Sequence, residues 1–253
     1  TYGKNEFALE DINLDIKPGE FVAIIGQNGS GKTTLAKLLC QLHAPDKGFV
    51  KIKNEDTRRW SRKRMAQEVG YVFQNPDHQI FCESVKEEVS FALKNFDYPD
   101  EEIGQKIQKS LRMTDLNGYE DKDPFSLTKG EKQRLAVATV LAMKPETIIL
   151  DEPTTGLDYH QIKAMMEMIR NLNQKGHTVI IITHAMWVVA EYAKRAIVMD
   201  KGRIMLDLPT RELFAREEEL KQFHLEPPQV TRLGNRLSLK ILTIEEMKKC
   251  ISM

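Results

Sequence analysis

The segment that most constrains this chain is GQNGSGKTT, residues 26–34, which holds three glycines, one lysine and three hydroxyl residues. It matches the pattern G-x-x-x-x-G-K-[ST] at Gly26, Gly31, Lys32 and Thr33, between an apolar run and a helical pattern. Glycines let the backbone curl so that its N–H groups and the amino end of the following helix face phosphate oxygens. An ordinary glycine turn needs no lysine, so the sequence predicts a phosphate-binding loop.

The side chains of this loop have distinct predicted roles. Lys32 brings a positive charge to the outer phosphates of a bound nucleotide, and the Thr33 hydroxyl binds Mg²⁺. The other loop residues that we expect at the nucleotide are Asn28, Gly29, Ser30, Gly31 and Thr34.

Two adjacent carboxylates follow an apolar run in TIILDEPTTGLD, residues 147–158. We expect Asp151 to act on Mg²⁺ through its water shell, and Glu152 to orient and polarise the attacking water, because phosphoryl transfer depends on positioning and charge compensation. The alternative is that both carboxylates only cap the next turn. His184 directly follows another apolar run and is predicted to touch the terminal phosphate, since ligands bind at the carboxyl ends of strands in open α/β sheets. Lys32, Glu152 and His184 are the predicted catalytic residues.

The pattern along the chain predicts an α/β fold with helices covering a mainly parallel sheet. Continuous apolar runs predict buried strands at 21–26, 69–73, 146–150, 178–183 and 195–199. Helical patterns occupy 32–42, 130–143, 159–175 and 185–193.

Two regions interrupt this alternation. Residues 75–130 contain charged, helix-like stretches without a strong strand, which predicts a helical insertion. After Pro227 and Pro228 the chain changes character and ends in a short amphipathic segment at 241–253.

Composition excludes several classes of protein. The 37 basic and 37 acidic residues balance, so neither a nucleic acid nor an anionic lipid surface is expected as the main partner. The apolar runs are too short to span a membrane, so any membrane role is peripheral. Three widely spaced cysteines indicate a reduced, cytosolic compartment. Because the chain starts at Thr1, it is compatible with a fragment or with one half of a tandem protein.

The segment SLTKGEKQRLAVA, residues 126–138, resembles the signature motif of ABC ATPases. Together with the phosphate loop, Gln74 in YVFQNP, the carboxylates and His184, every expected motif appears in family order across residues 1–220. The resemblance implies a P-loop NTPase with a RecA-like core, a helical subdomain and a short C-terminal extension. It also implies ATP and Mg²⁺ as cofactors, with each ATP lying between the phosphate loop of one nucleotide-binding domain and the signature of another.

The resemblance implies domain limits and further roles. The core would comprise 1–74 and 131–222, the helical subdomain 75–130, and an extension for dimerisation 223–253. Tyr2 would stack on adenine, Gln74 would touch Mg²⁺ and pass nucleotide state to the helical subdomain, and Asp158 would lie in a turn facing the opposite subunit.

The signature departs from the common sequence L-S-G-G-Q, because Lys129 replaces a glycine and Glu131 replaces an amide. Thr128 and Gly130 keep the hydroxyl and one glycine, so Thr128, Gly130 and Glu131 stay predicted nucleotide contacts. Lys129 either helps neutralise the triphosphate or impairs the close approach of the backbone.

The stretch NPDHQIFCESVKEEVSFAL, residues 75–93, is similar to ATPases of energy-coupling factor (ECF) importers of vitamins, cobalt or nickel. This resemblance implies an ATP-hydrolysing subunit, paired with itself or with a related ATPase at the cytoplasmic face of the cell membrane. Its partners would be an integral membrane transmitter and a substrate-binding membrane subunit. Two alternatives stay open, namely a soluble ABC ATPase acting on ribosomes or DNA, and a regulatory module with little turnover.

Overall fold

The structure is a computed structural model that describes residues 9–252. The predicted adenine contact Tyr2 therefore lies outside the described residues. The strands are β1 (Phe21–Ile25), β2 (Lys51–Ile52), β3 (Glu55–Asp56), β4 (Val69–Val72), β5 (Thr147–Asp151), β6 (Thr178–Ile182), β7 (Arg195–Asp200) and β8 (Arg203–Pro209). The α-helices are α1 (Lys32–Leu39), α2 (Arg62–Glu68), α3 (Val85–Asn95), α4 (Asp100–Met113), α5 (Lys129–Ala142), α6 (Tyr159–Gln174), α7 (Met186–Tyr192), α8 (Thr210–Ala215), α9 (Glu217–Gln222), α10 (Gln229–Arg236) and α11 (Ile244–Ile251).

The chain divides into two compact units. The first contains the described residues up to Leu35 and those from Ile180 onward, and the second contains Ala36–Val179. The boundaries between the units fall inside α1 and β6. The domain limits given by the family resemblance stay a prediction.

In the first unit, β1 pairs in parallel with β7, and β7 pairs antiparallel with β8. All five residues of β1 are buried, as are the central four of β7, which agrees with the continuous apolar runs at these positions. The sequence analysis missed β8, whose side chains alternate between exposed and half-buried positions and leave no continuous apolar run.

The carboxyl-terminal residues of this unit form α10 and α11. The Arg211 guanidinium of α8 bonds the Glu246 carboxylate of α11, with a shortest N–O distance of 2.6 Å. Glu246 also accepts a hydrogen bond from the Leu242 backbone N–H at 2.8 Å. The amphipathic segment predicted at the end of the chain is therefore helical over Ile244–Ile251 and is tied to α8.

In the second unit, β4 pairs in parallel with β5, with Tyr71 opposite Ile149. The helical insertion predicted at 75–130 contains α3 and α4, which pack with α5 around an apolar cluster. Its fully buried members include Val89, Leu93, Leu111 and Leu135.

Helix α1 ends at Leu39, three residues before its predicted end at 42. Gln41 has a φ of 57° and so leaves the helical conformation, and the Cys40 N–H makes the last helical hydrogen bond, to the Ala36 carbonyl at 3.2 Å. The prediction was wrong here because the apolar pattern of KTTLAKLLCQL continues past a residue that turns the backbone.

Candidate nucleotide-binding site

The phosphate loop of the first unit is built on glycine conformations. Gly26, Gly29 and Gly31 all have positive φ, at 148°, 81° and 101°. A Cβ atom on Gly26 would lie 2.1 Å from the Met199 carbonyl oxygen, so any larger residue at this position would collide with strand β7. The backbone therefore curls as the sequence predicted.

The ammonium group of Lys32 lies inside this loop. Its side chain is 5% exposed, and Nζ donates to the carbonyl oxygens of Gly26 at 2.8 Å and Gln27 at 2.7 Å. Ser30 Oγ is 3.4 Å from the same Nζ. The Gly202 N–H donates to the Ser30 carbonyl at 3.0 Å, which attaches the loop to the turn between β7 and β8. Lys32 thus closes the loop with a positive charge at its centre.

This loop fits a phosphate group. Helix α1 begins at Lys32, and the first N–H groups of a helix have no acceptor within the helix and form its positive end. The first turn of α1 contains no acidic residue that would neutralise this end. Asn28, Gly29 and Thr33 are exposed and Thr34 is half-buried. The loop residues predicted from the sequence therefore lie in a setting that suits an anion.

His184 lies two residues beyond the end of β6 and is exposed. The preceding residue, Thr183, is buried and accepts a hydrogen bond from the Ala185 N–H at 3.0 Å. The bond fixes the bend at His184, and the predicted contact of its ring with a terminal phosphate stays a prediction.

The second unit places Asp151 at the end of β5, where it is 3% exposed. Tyr71 on the neighbouring strand donates its hydroxyl proton to Asp151 Oδ2 at 2.7 Å. Burial raises the pKa of Tyr71 well above its ordinary value, and the negative charge of Asp151 raises it further, so the phenol stays a donor. Sequence analysis missed Tyr71, because a contact between residues 80 positions apart leaves no local signal.

Glu152 is 8% exposed and has a φ of 50°, in the left-handed region that a residue with a Cβ rarely adopts. Its carbonyl accepts a hydrogen bond from the Thr155 N–H at 3.2 Å, which closes a tight turn after β5. Strain of this kind costs about 1–3 kcal/mol and persists where the surrounding structure requires it, often at functional sites. The left-handed backbone of Glu152 belongs to this turn, and its action on the attacking water stays a prediction.

The donors predicted for Mg²⁺ are a carboxylate, a hydroxyl and an amide. Within residues 9–252 no group of three or more His, Cys, Asp or Glu side chains is arranged to bind a metal ion. Mg²⁺ in phosphate sites usually takes only one or two carboxylates together with phosphate oxygens and water. The buried Asp151 carboxylate, the exposed Thr33 hydroxyl and the exposed Gln74 amide are donors of that kind.

The signature segment caps its own helix. Thr128 is the N-cap of α5, and its hydroxyl oxygen accepts from the Glu131 N–H at 3.3 Å. In return, Glu131 Oε2 accepts from the Thr128 backbone N–H at 2.8 Å and from its hydroxyl at 2.7 Å, while Tyr119 donates to Oε1 at 2.8 Å. These bonds, led by the Thr128 hydroxyl, lower the pKa of Glu131 to about 2. The Thr128 proton that we expected at a phosphate is directed to Glu131 in this structure.

The other signature residues pack against the turn after β5 and against α6. A Cβ atom on Gly156 would lie 2.2 Å from Lys129 Nζ, so the ammonium group lies directly over this glycine. Gly130 is buried, and a Cβ there would lie 3.5 Å from the Gln161 side chain. Asp158 is the N-cap of α6 and accepts from the Gln161 N–H at 2.9 Å.

The segment after Gln74 is fastened to α5. The Gln79 amide nitrogen donates to the Ala136 carbonyl at 3.0 Å and to the Thr139 hydroxyl at 2.8 Å, and Lys132 forms an ion pair with Asp77 at 2.8 Å. Gln74 itself is exposed. Sequence analysis identified the Asn-Pro-Asp-x-Gln pattern, and the structure adds that its polar residues hold the loop on the signature helix.

An exposed aromatic pair follows this segment. Phe81 and Phe91 are 57% and 45% exposed, with ring centroids 4.6 Å apart in an edge-to-face arrangement. The buried Glu88 carboxylate accepts from the backbone N–H groups of Phe81 and Cys82 at 2.9 and 2.8 Å, which fixes the Phe81 backbone against α3. The pair forms an exposed apolar patch on the surface of the second unit.

The profile of the ABC transporter family matches residues 9–155. The chain belongs to the ABC transporter family. An ABC transporter ATP-binding protein of Caldanaerobacter subterraneus subsp. tengcongensis is 47% identical over 99% of this chain but only 44% of its own length. This chain therefore spans less than half of that relative. The energy-coupling factor transporter ATP-binding protein EcfA1 of the same organism is 44% identical over 98% of this chain and 92% of its own.

Solved structures of ABC proteins have the same fold. The structure of cbiO1 from Clostridium perfringens, part of the ABC transporter complex cbiONQ, superposes with a TM-score of 0.77 and 35% identity over 92% of both chains. The dimeric, post-hydrolysis structure of an ATP-binding cassette bound to ADP and Pi superposes with a TM-score of 0.73 and 31% identity, over 83% of this chain and 94% of that one. The predicted ABC ATPase fold and the resemblance to ECF ATPases are thus confirmed.

Proposed function

We propose that this ABC protein is the ATP-binding and ATP-hydrolysing subunit of an ECF-type importer. The observation that carries the nucleotide assignment is the phosphate loop, in which Gly26 cannot accept a side chain and the buried Lys32 ammonium is bound to two loop carbonyls. The importer assignment is supported by the likeness of the chain to EcfA1 and to cbiO1.

The roles of the residues follow from their settings. Lys32 and the amino end of α1 bind the phosphates, and Thr33, Gln74 and Asp151 are the ligands or near neighbours of Mg²⁺, which when bound offsets phosphate charge. Tyr71 orients Asp151 through its hydroxyl. Glu152 orients and polarises the attacking water, and His184 contacts the terminal phosphate.

We infer that two cassettes act together. The signature residues Thr128, Gly130 and Glu131 then face the nucleotide of the partner cassette, and Asp158 faces the partner from the cap of α6. The partner is either a second copy or a related ATPase, and the extension from residue 223 contributes to pairing. The dimeric cassette with bound ADP and Pi supports this arrangement.

The membrane partner is expected at the aromatic pair. Within the described residues, none of the helices combines the length and the apolar character that a membrane span requires. An exposed Phe81–Phe91 patch suits the apolar face of a helix from an integral transmitter, since aromatic residues are enriched at protein interfaces. We therefore place the chain at the cytoplasmic face of the cell membrane, with a separate membrane subunit binding a vitamin or a transition-metal ion.

One observation favours a second candidate, a regulatory cassette with low turnover. The Thr128 hydroxyl donates to Glu131, so binding a phosphate through this hydroxyl requires that bond to break. A cassette in which the bond persists would bind ATP but hydrolyse it slowly.

The first experiment is steady-state phosphate release from ATP by the purified chain and by Glu152→Gln. Loss of a group that polarises the attacking water should lower turnover about 10²–10⁴-fold while ATP binding persists. Glu101→Gln, which removes an exposed carboxylate on α4, is the matched control and should hydrolyse ATP at the rate of the unmodified chain. Equal, very slow turnover in all three proteins would favour the regulatory candidate.

The importer is tested separately, by copurification of the tagged chain from detergent-solubilised membranes of its native host. Recovery of an integral transmitter and a small substrate-binding membrane protein would support the proposal, and a second ATPase would identify a heterodimer. Recovery of ribosomal or DNA-bound proteins alone would refute the importer and favour the soluble alternative.

A further inference from the structure

A small cavity of about 160 Å³ lies in the second unit and contains none of the residues assigned to ATP. Its walls come from α4, from the end of α5 and from the chain segments that follow α5 and α6. Three lysines line it, Lys106, Lys109 and Lys144, together with His177. We call this site the lysine cavity.

The lysines of the lysine cavity form no direct ion pair with an acidic side chain of the described residues. Within residues 9–252, the ammonium groups of the three lysines form neither hydrogen bonds nor ion pairs, and Lys106 lies 4.7 Å from the centroid of the Tyr98 ring. Burial lowers the pKa of Lys106, and repulsion from Lys144 lowers it further, whereas the charge of Glu102 acts in the opposite direction but less strongly. Lys144 is therefore close enough to Lys106 to disfavour its charged form.

The helix ends at this site do not neutralise the lysines. Leu141 and Ala142, at the carboxyl end of α5, form part of the wall, and such an end carries roughly half a negative elementary charge. Three ammonium groups outweigh that charge several times. His177 is held in place because its Nδ1 lies 2.8 Å from the Pro145 carbonyl oxygen, which requires the proton on Nδ1. The lining of the cavity thus has a net positive charge, carried by the half-buried Lys106 and by the exposed Lys109 and Lys144.

We propose that the lysine cavity binds a small anion of the phosphate class, either inorganic phosphate or the phosphate group of a small monoester. A phosphate offers several acceptor oxygens to three separate ammonium donors, and lysine is a common phosphate-binding residue. A cavity needs about 10–15 Å³ measured in this way to hold one water molecule, so about 160 Å³ leaves room for a phosphate group. Met113 and Leu141 supply an apolar wall for the organic part of a monoester.

Acetylation of lysines by a small amine-reactive reagent, followed by mass spectrometry, tests the site directly. At about ten times the dissociation constant, bound phosphate should slow acetylation of Lys106 and Lys144 about tenfold relative to chloride at equal ionic strength. Exposed Lys47, which does not line the cavity, should react at the same rate in both salts. Lys32 reports separately on phosphate bound at the phosphate loop.

The acetylation experiment is run with glycerol phosphate and with inorganic phosphate, to distinguish the two sources of the phosphate group. Protection by glycerol phosphate at lower concentration than by inorganic phosphate indicates a monoester, and the reverse order indicates phosphate itself. Unchanged reactivity of Lys106 and Lys144 with both ligands, or equal protection of Lys47, would refute the site.

Calorimetric titration with inorganic phosphate of chains carrying Lys32→Ala provides an independent measurement. Adding Lys106→Gln and Lys144→Gln should weaken the remaining binding about tenfold or more, whereas adding Lys47→Gln should not change it. The substitutions relieve repulsion, so folding is expected to be retained, and circular dichroism verifies it. The proposal fails if Lys32→Ala alone removes all phosphate binding.

Discussion

Helices α1 and α5 both follow a motif predicted to face a phosphate, yet they begin in different ways. Before α1 the chain passes through glycines with positive φ, and the first turn of the helix carries no acidic residue. Before α5 the chain forms a complete capping box, and Glu131 lies in the first turn.

The difference shows how each helix complements its positive amino end. In α5 the Glu131 carboxylate supplies a negative charge within the chain, and Thr128 accepts one of the first N–H groups. In α1 the side chain that turns inward is the cation Lys32, so the complementary anion must come from a ligand. The first turn of α1 thus has no acidic residue of its own at the positive helix end, whereas that of α5 has Glu131.

Of the four substitutions that test this comparison, Lys32→Ala should have the largest effect, on ATP hydrolysis. Removing the buried ammonium should lower turnover about 10²–10³-fold, as when a single preorganised donor is removed from a reactive site. Phosphate release under saturating ATP measures it, with Lys47→Ala as an exposed control of equal charge change. If Lys32→Ala hydrolyses ATP at a rate within tenfold of the parent, hydrolysis does not depend on the Lys32 ammonium group.

Gly26→Ala tests whether the backbone of the phosphate loop requires a glycine at this position. The added methyl would lie 2.1 Å from the Met199 carbonyl oxygen, so we expect a loss of about 2 kcal/mol in the free energy of unfolding. Urea unfolding measures it. Gly104→Ala, in α4 with open space around the new Cβ, should instead raise stability by about 0.8–1 kcal/mol. Equal effects of the two substitutions would contradict the close approach at Gly26.

Glu131→Gln tests how much the negative charge in the first turn of α5 stabilises the fold. The folded-state pKa of Glu131 is about 2, below the ordinary value of 4.5, so the ionised carboxylate stabilises the fold above about pH 4.5. This contribution is lost as the pH falls from 4.5 towards 2. We expect the variant to be about 1 kcal/mol less stable at pH 7, and the difference to shrink on acidification.

Urea unfolding at pH 7, 4.5 and 3 measures the effect of Glu131→Gln. Glu101→Gln is the control, because its carboxylate lies on an exposed first turn of α4. A stability difference that stays constant from pH 7 to 3 would show that Glu131 acts by packing and not by charge.

The smallest expected effect is that of Lys129→Gly, which restores the common signature residue. Because Lys129 extends over Gly156 without occupying the α5 cap, we expect ATP turnover to stay within a few-fold of the parent. Phosphate release at saturating ATP measures it. A large gain would mean that the lysine side chain obstructs the signature.

Much of the fold could be predicted from the sequence. The five predicted strands match β1, β4, β5, β6 and β7 within one residue at each end, because buried parallel strands are continuous apolar runs. The short strands β2 and β3, of two residues each, were missed because so few residues show no periodicity.

The candidate site was less completely predictable. The phosphate loop and the Asp151–Glu152 pair were identified because their residues are consecutive. Tyr71, which donates to Asp151, and Tyr119, which donates to Glu131, were not, since their hydroxyl groups reach their partners only through the packing of separate segments.

By itself, the sequence determined the phosphate loop, the order of the ABC motifs and therefore the family, because these features depend on neighbouring residues and on backbone conformations that glycine permits. Only the tertiary structure decided that Tyr119 donates to Glu131 and that Lys106, Lys109 and Lys144 line one cavity. Packing brings these side chains together from separate segments of the chain, and no local pattern of residues encodes the distances between them.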